Sequence, residues 1–265
     1  EINSSVYCFL GSALKYALKN IKNNNKQKEY YLTDTVEILK NKGYNTAVLK
    51  CGNCDIIKAV NDRVQLSELE KYMRGKINKK WMEAGVTMID PDTVYISYDA
   101  ELAEDVTLYP SVVIEGKTKI GRGCAITTSS IIKNSVIGQN CVIKSSTITD
   151  SYVGDNVKIG PYSHLRPKSN LKDNVKIGNF VEIKNSVMDE NSKSSHLTYI
   201  GDAEVGKNVN LGCGVVFVNY DGRAKHLTVV EDDCFIGCNV NLVAPVCVKK
   251  GAYVAAGSTI TDDVP

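Results

Sequence analysis

An aliphatic residue recurs every six positions over most of this chain, and that repeat limits the possible folds more than any other feature. The three series run through Ile96, Leu102, Leu108, Ile114, Ile120, Ile126 and Ile132, then Val153, Ile159, Leu165, Leu171, Ile177 and Ile183, then Ile236, Leu242, Val248, Val254 and Ile260. Neither an α-helix nor an alternating strand has a period of six. Stacked coils with three six-residue sides have it, and their parallel strands lie about 4.8 Å apart. We therefore predict a mainly β chain that forms a left-handed parallel β-helix of hexapeptide repeats.

Composition narrows the class of protein further. The chain has 265 residues, 43% hydrophobic and 23% charged, with a net charge of +2, so it can bury a core and carries no overall bias toward nucleic acid. Its longest apolar runs fall far short of the roughly 20 residues that span a bilayer. Nine scattered cysteines fit a reducing compartment, and we expect a cytoplasmic protein without membrane or nucleic-acid partners. Glu1 opens the chain and the repeat still runs at Pro265, so we expect a piece of a longer protein.

Most of the cysteines have a structural interpretation. Cys124, Cys141 and Cys234 fall two positions before the large aliphatic, where a small inward side chain is required. Cys51 and Cys54 have the spacing of a metal or redox pair, but no second pair follows them, so we favour a structural role for both.

Three segments are predicted. Residues 1–61 are α-rich, residues 62–93 contain a long helix and a connection, and residues 94–265 form the β-helix. Helical spacing indicates a first helix around residues 10–21, a second beginning near Asp34, and a third from the N-cap Asp62 to about Gly85. Residues 46–51 are predicted to be a strand.

The six-residue pattern fails between residues 183 and 200 and again between residues 217 and 230, where polar residues accumulate. We interpret both breaks as loops that leave the coil, which is where functional residues tend to lie.

Basic side chains lie close to these breaks. Arg166 and Lys184 each follow an inward aliphatic residue and so point outward, and Glu182 precedes the inward Ile183. Together with Lys225 from the second break, Arg166 and Lys184 could bind a phosphate group through charge-assisted hydrogen bonds. Solvated surface charge is the alternative interpretation of the same residues.

Four motifs carry a resemblance to a known family. They are Phe180–Asn185, His196–Ala203, Asn219–Gly222 and Leu242–Val246. In this order and spacing they closely resemble the bacterial bifunctional family of N-acetylglucosamine-1-phosphate uridylyltransferases and glucosamine-1-phosphate N-acetyltransferases. Earlier stretches, including Glu29–Asp34, resemble the last part of that family's uridylyltransferase domain. The resemblance implies that residues 1–61 are a remnant of an α/β nucleotidyltransferase domain and that residues 94–265 are the acetyltransferase domain.

The resemblance also implies a reaction and a site. Family members transfer the acetyl group of acetyl-CoA, a co-substrate, to the amine of glucosamine 1-phosphate in UDP-N-acetylglucosamine biosynthesis for cell-wall precursors. A base must take the amine's proton, a task that suits histidine, and His196 matches the family's base with Glu182 as the residue that orients its ring. The residues that match the sugar-phosphate contacts are Arg166, Lys184, Tyr199, Asn210 and Lys225. Those that match the acetyl-CoA side are Cys213, Asn219, Tyr220, Cys238 and Ala256. Family members are homotrimers with the site at a subunit interface, transfer the acetyl group directly and hold no tightly bound cofactor.

The same resemblance leaves only fragments of the uridylyltransferase site. Asn3 matches a sugar-nucleotide contact and Asn61 a Mg²⁺ contact that works only in the complete domain. The family's Gly-rich loop and metal-binding aspartate would precede Glu1, and its tail with a CoA-binding arginine would follow Pro265. We therefore expect no uridylyl transfer and a weakened acetyl transfer from this piece.

Two alternatives stay open at this point. One is a hexapeptide-helix zinc enzyme of the carbonic anhydrase type, which needs three histidines, and the chain has His164, His196 and His226. The other is a noncatalytic trimeric scaffold.

Overall fold

The computed structural model describes residues 5–50, 52 and 59–265. The chain divides into two compact units, Glu1–Glu70 and Lys71–Pro265. Among the described residues, no helix combines the length and apolar character needed to cross a bilayer.

Over the described ranges, three α-helices precede the coils: α1 (Gly11–Asn20), α2 (Asp34–Asn41) and α3 (Arg63–Glu83). The buried Ala13 and Ala17 of α1 pack with Leu39 of α2 in a small core. Asp62 caps α3 as predicted, because its Oδ1 accepts a hydrogen bond from the amide of Gln65 at 2.8 Å. Further along α3, Ile77 and Trp81 pack against the core of the coils.

The predicted strand at residues 46–51 is wrong for the part that the structure describes. Residues 46–50 adopt no regular secondary structure, and Cys51 lies outside the described residues, as does Cys54. Val48 and Leu49 are 95% and 97% exposed. A β-branched apolar stretch forms a strand only where a neighbouring strand pairs with it, and none of the described residues does so here.

The rest of the chain is a left-handed parallel β-helix whose three sides are parallel sheets, as the repeat predicted. Sheet A consists of β1 (Thr87–Met88), β4 (Thr107–Leu108), β7 (Ala125–Ile126), β10 (Val142–Ile143), β13 (Lys158–Ile159), β16 (Lys176–Asn179), β19 (Lys193–His196), β22 (Asn210–Leu211), β25 (Phe235–Ile236) and β28 (Tyr253–Val254). Sheet B consists of β2 (Tyr95–Ile96), β5 (Val113–Glu115), β8 (Ile131–Lys133), β11 (Thr147–Thr149), β14 (His164–Leu165), β17 (Glu182–Lys184), β20 (Tyr199–Gly201), β23 (Val216–Val218), β26 (Asn241–Val243) and β29 (Thr259–Ile260). Sheet C consists of β3 (Glu101–Leu102), β6 (Lys119–Ile120), β9 (Val136–Ile137), β12 (Tyr152–Val153), β15 (Ser169–Leu171), β18 (Ser186–Met188), β21 (Ala203–Val205), β24 (Thr228–Val230) and β27 (Val246–Val248).

The core of the coils is a column of aliphatic side chains. Ile126, Ile132 and Ile143 are completely buried, and each such side chain contributes roughly 1.5–3 kcal/mol relative to exposure. The predicted small inward positions are confirmed for Cys124 and Cys234, both buried. Cys141 is buried in the same way, and burial raises the pKa of the Cys234 thiol. These thiols therefore act as compact apolar side chains.

The first predicted loop, between residues 183 and 200, is wrong. The chain stays in the coil there, with β18 and β19 in register with their neighbours. The partners Ile183 and Ile200 are 17 residues apart, whereas Leu165 and Ile183 are 18 apart. One corner is a residue shorter, so the inward position moves to Met188 and then to the buried Ser194. The six-residue pattern was therefore interrupted in the sequence by one shortened corner and one polar inward residue, although the coil itself is regular.

The second predicted loop is confirmed. Residues 219–226 project between β23 and β24, and an antiparallel bridge between Tyr220 and Lys225 closes them into a compact turn. The side chain of Asp221 accepts hydrogen bonds from the amides of Arg223 and Ala224, each at 2.7 Å. We call this segment the 219–226 loop.

Candidate functional site

Three basic side chains meet near the outer face of sheet B. The side chains of Lys184 and Lys225 lie close together, and their interaction, followed by desolvation, lowers the pKa of Lys184 below its ordinary value. The charge of Arg166 acts on Lys184 in the same direction. Like charges thus lie close together in this cluster. An anion placed among these groups would relieve their repulsion.

Arg166 is held by a carboxylate on the next coil. Its Nη1 donates to Oε1 of Glu182 at 2.7 Å, and this bond is the main reason that the pKa of Arg166 lies above its ordinary value. Both side chains are 41% exposed, so one bond holds the guanidinium while part of it stays accessible to solvent. Arg166 is thus oriented for a planar or tetrahedral anion.

His196 lies at the end of β19, at the corner between sheets A and B. Its imidazole is exposed, and Nδ1 lies 2.8 Å from Oδ1 of Asn179, the residue paired with it on the preceding coil. An amide oxygen only accepts hydrogen bonds, so Nδ1 donates to Asn179, and in the neutral imidazole Nε2 is then the nitrogen with the lone pair. The described residues show no contact between His196 and Glu182, whose carboxylate is engaged with Arg166.

Three of the residues predicted to contact acetyl-CoA lie at the same corner of the prism as His196, on coils nearer the C-terminus. Backbone hydrogen bonds link this corner from coil to coil. The amide of Gly214 donates to the carbonyl of His196, the amide of Asn239 donates to the carbonyl of Cys213, and the amide of Gly257 donates to the carbonyl of Cys238. His196, Cys213, Cys238 and Ala256 therefore occupy one corner on four successive coils, which we call the His196 corner. Cys213 is partly exposed, and Cys238 and Ala256 are exposed. An extended ligand lying along this corner would pass all four.

The base of the 219–226 loop reaches the sheet B face. Asn219 is only 7% exposed, and its Nδ2 donates to Asp202 Oδ2 at 2.5 Å and to the Tyr199 hydroxyl at 3.4 Å. Gly201 lies beneath these groups: a Cβ there would be 2.6 Å from Tyr199 Cζ and 2.8 Å from Asn219 Nδ2. The missing side chain of Gly201 is what lets the tyrosine and the amide meet over the backbone.

The structure does not bring every predicted residue to one face of the chain. Asn210 lies on sheet A, paired with Lys193 and Phe235, whereas Tyr199 lies on sheet B. Tyr220 lies in the 219–226 loop and is 56% exposed. One chain thus presents the predicted substrate contacts on two different sides of the prism.

The fragments of the uridylyltransferase site do not form a metal centre among the described residues. Asn3 lies outside them. Asn61 is exposed, and its amide donates to Gln65 Oε1 at 2.8 Å. Magnesium favours carboxylate ligands, and the described part of the chain holds no group of three or more His, Cys, Asp or Glu side chains that could bind a metal. These residues therefore do not fit Mg²⁺ by themselves.

The three histidines have separate surroundings. His164 lies on sheet B beside Glu182, His196 contacts Asn179, and Nε2 of His226 lies 2.7 Å from Asp221 Oδ2. Within the described residues of one chain they do not converge as zinc ligands would, so the geometry does not favour the zinc alternative.

Sequence reasoning missed the neighbours that hold the predicted residues. Asn179, Gly201 and Asp202 contact or support His196, Tyr199 and Asn219. Asn179 stands one coil length, 17 residues, before His196, and that spacing is the signal that could have found it.

Comparison with known proteins finds one matching family model and several similar proteins. Residues 125–209 match the family described as GlmU-like, C-terminal hexapeptide. Proteins named bifunctional protein GlmU from Geobacillus sp. (strain WCH70), Caldanaerobacter subterraneus subsp. tengcongensis and Clostridioides difficile (strain 630) are 55%, 56% and 54% identical over all 265 residues, and the chain spans 58% of the length of each. Among solved structures, the Arabidopsis UDP-N-acetylglucosamine acyltransferase has 18% identity and a TM-score of 0.49, covering 65% of this chain and 67% of that one. Along its whole length the chain is therefore similar to proteins named bifunctional protein GlmU.

Proposed function

We propose that this chain transfers an acetyl group from acetyl-CoA to the amine of glucosamine 1-phosphate. The observation that carries the proposal is the combination of an exposed, oriented imidazole with a cluster of three basic side chains, in a chain similar along its whole length to proteins named bifunctional protein GlmU. The remaining assignments follow from the demands of that reaction.

The basic cluster would bind the sugar phosphate. A phosphate dianion accepts hydrogen bonds from Lys184 and Lys225 and pairs with the guanidinium of Arg166, which Glu182 already holds. Binding replaces repulsion between like charges with attraction, so the cluster favours a dianion over a neutral sugar. Tyr199, with its hydroxyl beside Asn219, would contact the sugar.

His196 would act as the general base. The neutral amine attacks the thioester carbonyl, and the new C–N bond forms as the C–S bond breaks. Nε2 takes the proton that the nitrogen loses, and the CoA sulfur leaves as a thiolate that is then protonated. Acetyl-CoA and amine become amide and free CoA, so no covalent enzyme intermediate is required. Asn179 keeps the imidazole in the tautomer that this step needs.

Glu182 would act through Arg166 in this scheme. The sequence prediction gave Glu182 the task of orienting His196, but within one chain its carboxylate holds the guanidinium and Asn179 contacts the imidazole. We assign it the positioning of the phosphate-binding arginine.

Acetyl-CoA would lie along the His196 corner. Its pantetheine arm would pass Cys213, Cys238 and Ala256 and bring the thioester to the imidazole, with Asn219 and Tyr220 near the reacting groups. The narrow side chains at this corner leave room for the arm, and backbone groups can supply its hydrogen bonds.

A homotrimer would complete the site. Phosphate and amine stand on adjacent sugar carbons, so all contacts to one substrate must lie within a few ångströms. Asn210 and Tyr199 lie on different sheets of one chain, and packing of prism sides from two copies brings both sheets to one ligand.

The parent protein would also transfer a uridylyl group from UTP with Mg²⁺, in UDP-N-acetylglucosamine biosynthesis for cell-wall precursors. The chain spans only 58% of its relatives' length, and no step proposed for it passes through that metal.

The test is thiol release from acetyl-CoA with glucosamine 1-phosphate as acceptor. We expect release by the wild-type chain and a loss of at least about 100-fold in kcat for His196→Ala, the range of general-base catalysis. Lys119→Ala, which removes an exposed lysine paired with Glu101, serves as the control and should be unaffected. Absence of acceptor-dependent release, or full activity in His196→Ala, would overturn the proposal.

A further inference from the structure

Asp202 joins three coils beside the proposed site. It lies within the motif His196–Ala203, but no predicted contact includes it. It is half-buried and follows β20 at the corner between sheets B and C. Its Oδ1 accepts from Asn185 Nδ2 at 2.6 Å on the preceding coil, and its Oδ2 accepts from Asn219 Nδ2 at 2.5 Å on the following one. One carboxylate thus uses both oxygens to bridge neighbouring coils.

The backbone of Asp202 holds the other end of the same loop. Its carbonyl accepts from the amide of Thr228 at 3.2 Å, just after the 219–226 loop, while its side chain holds Asn219 at the start. Its own amide donates to the carbonyl of Lys184 at 3.1 Å. Asp202 therefore links both ends of the loop to the strand that carries the phosphate-binding lysine.

The corner conformation alone does not explain the contacts of this side chain. Asp202 has φ 49°, in the left-handed region that Asp and Asn tolerate. Asp150 occupies an equivalent corner with φ 45°, where its amide and carbonyl bond to Lys133 and Lys168 in the same way. Asp150 is exposed, and its side chain makes none of the bridging bonds described for Asp202. The two corners share a backbone requirement and differ in what the carboxylate does.

We propose that Asp202 is a positioning residue for acetyl transfer: by holding Asn219 and both ends of the 219–226 loop, it fixes Lys225 against Lys184 and Asn219 beside Tyr199. The inference rests on the proposed function, because the groups that it positions are those assigned to substrate.

Charge supports the same role. Asp202 counteracts the repulsion within the basic cluster, since its negative charge acts to raise the pKa of Lys184 while Lys225 and Arg166 lower it. Replacing the carboxylate removes this compensation as well as an acceptor, because an asparagine presents one oxygen and one NH₂ to two amide donors.

The decisive variant is Asp202→Asn, with Asp150→Asn as the matched control for an Asp-to-Asn change at a left-handed corner. We expect amide hydrogen exchange in the 219–226 loop to accelerate roughly ten-fold or more in Asp202→Asn, as befits a lost charge-assisted hydrogen bond. We also expect kcat/KM for glucosamine 1-phosphate to fall by about 10- to 100-fold, as displaced binding groups would cause. Asp150→Asn should match the wild type in both measurements.

The double variant Asp202→Asn, Asn219→Asp separates positioning from general destabilisation. In this variant the side-chain amide at position 202 donates to the carboxylate at position 219, so donor and acceptor are exchanged between the two positions. The side-chain oxygen at position 202 still accepts from Asn185. The variant should therefore restore the protection of the 219–226 loop against hydrogen exchange.

Three results for Asp202→Asn would each overturn the inference. They are amide hydrogen exchange in the 219–226 loop that matches the wild type, a loss of activity without faster exchange in that loop, and faster exchange throughout the coils. A wild-type chain without acetyl transfer, whose loop protection still depends on Asp202, would instead refute the proposed function and keep the anchoring.

Discussion

Gly201→Ala places a single methyl group at the centre of the candidate site. Its backbone is not in the left-handed region, so alanine is compatible with the local conformation. The new Cβ would lie 2.6 Å from Tyr199 Cζ and 2.8 Å from Asn219 Nδ2, closer than side chains tolerate. Carbon atoms pack at about 3.5–4.0 Å, so the ring of Tyr199 must withdraw by roughly 1 Å.

That displacement should reduce activity far more than stability. Misplacing a binding group by about 1 Å can lower the rate by about 100-fold. The end of the tyrosine side chain is half-buried and can move, so the stability loss should stay near the lower end of the roughly 1–3 kcal/mol typical of overpacking. We therefore expect kcat/KM for glucosamine 1-phosphate to fall by about 10- to 100-fold with a small shift in Tm.

Steady-state thiol release and thermal unfolding measure the two effects separately. Gly75→Ala is the control: it adds the same methyl group within α3, where nothing lies within 4 Å, and should leave kcat/KM unchanged. If Gly201→Ala kept wild-type kcat/KM, the sheet B face around Tyr199 and Asn219 would not be the sugar-phosphate site.

Two further predictions concern the base and the phosphate cluster. Asn179→Ala removes the acceptor that fixes the His196 tautomer. Steady-state kinetics should therefore show kcat lower by about ten-fold or more, with KM for acetyl-CoA little changed. An unaltered kcat would exclude Asn179 as the orienting residue. Lys225→Ala removes the main cause of the lowered pKa of Lys184, so that pKa should rise. Only protonated Lys184 attracts phosphate, and its charge is lost as pH rises through its pKa. In the variant, KM for glucosamine 1-phosphate should therefore be higher near neutrality, but its further rise at alkaline pH should begin at a higher pH than in the wild type. An alkaline rise in KM that begins at the same pH in both proteins would contradict the assignment.

The fold was predictable because a narrow prism imposes a strict demand at each inward position. Ile126 and Cys124 show this demand directly, since each is buried at the position that the repeat assigned to it. The loop predicted between residues 183 and 200 was wrong because one corner there lost a residue, so that the inward position moved to Met188 and the six-residue count lost phase. The predicted strand was wrong over residues 46–50 for a different reason. Strand formation depends on a pairing partner, which the local sequence does not reveal.

The candidate site was predictable only in part. His196, Arg166 and Lys184 stood out through family motifs and residue chemistry. The contacts of Asn179 and Asp202 could not be predicted in the same way, because they join successive coils and depend on the length of every corner between them. Such contacts follow from register, which the structure supplies.

A crystal structure of the chain with CoA and N-acetylglucosamine 1-phosphate would test the central claim most directly. The account predicts the phosphate among Arg166, Lys184 and Lys225, the CoA arm along the His196 corner, and the acetylated nitrogen about 2.6–3.2 Å from His196 Nε2, within proton-transfer reach. A product bound with its phosphate away from the basic cluster, or with its nitrogen beyond the reach of every His196 in the assembly, would contradict it.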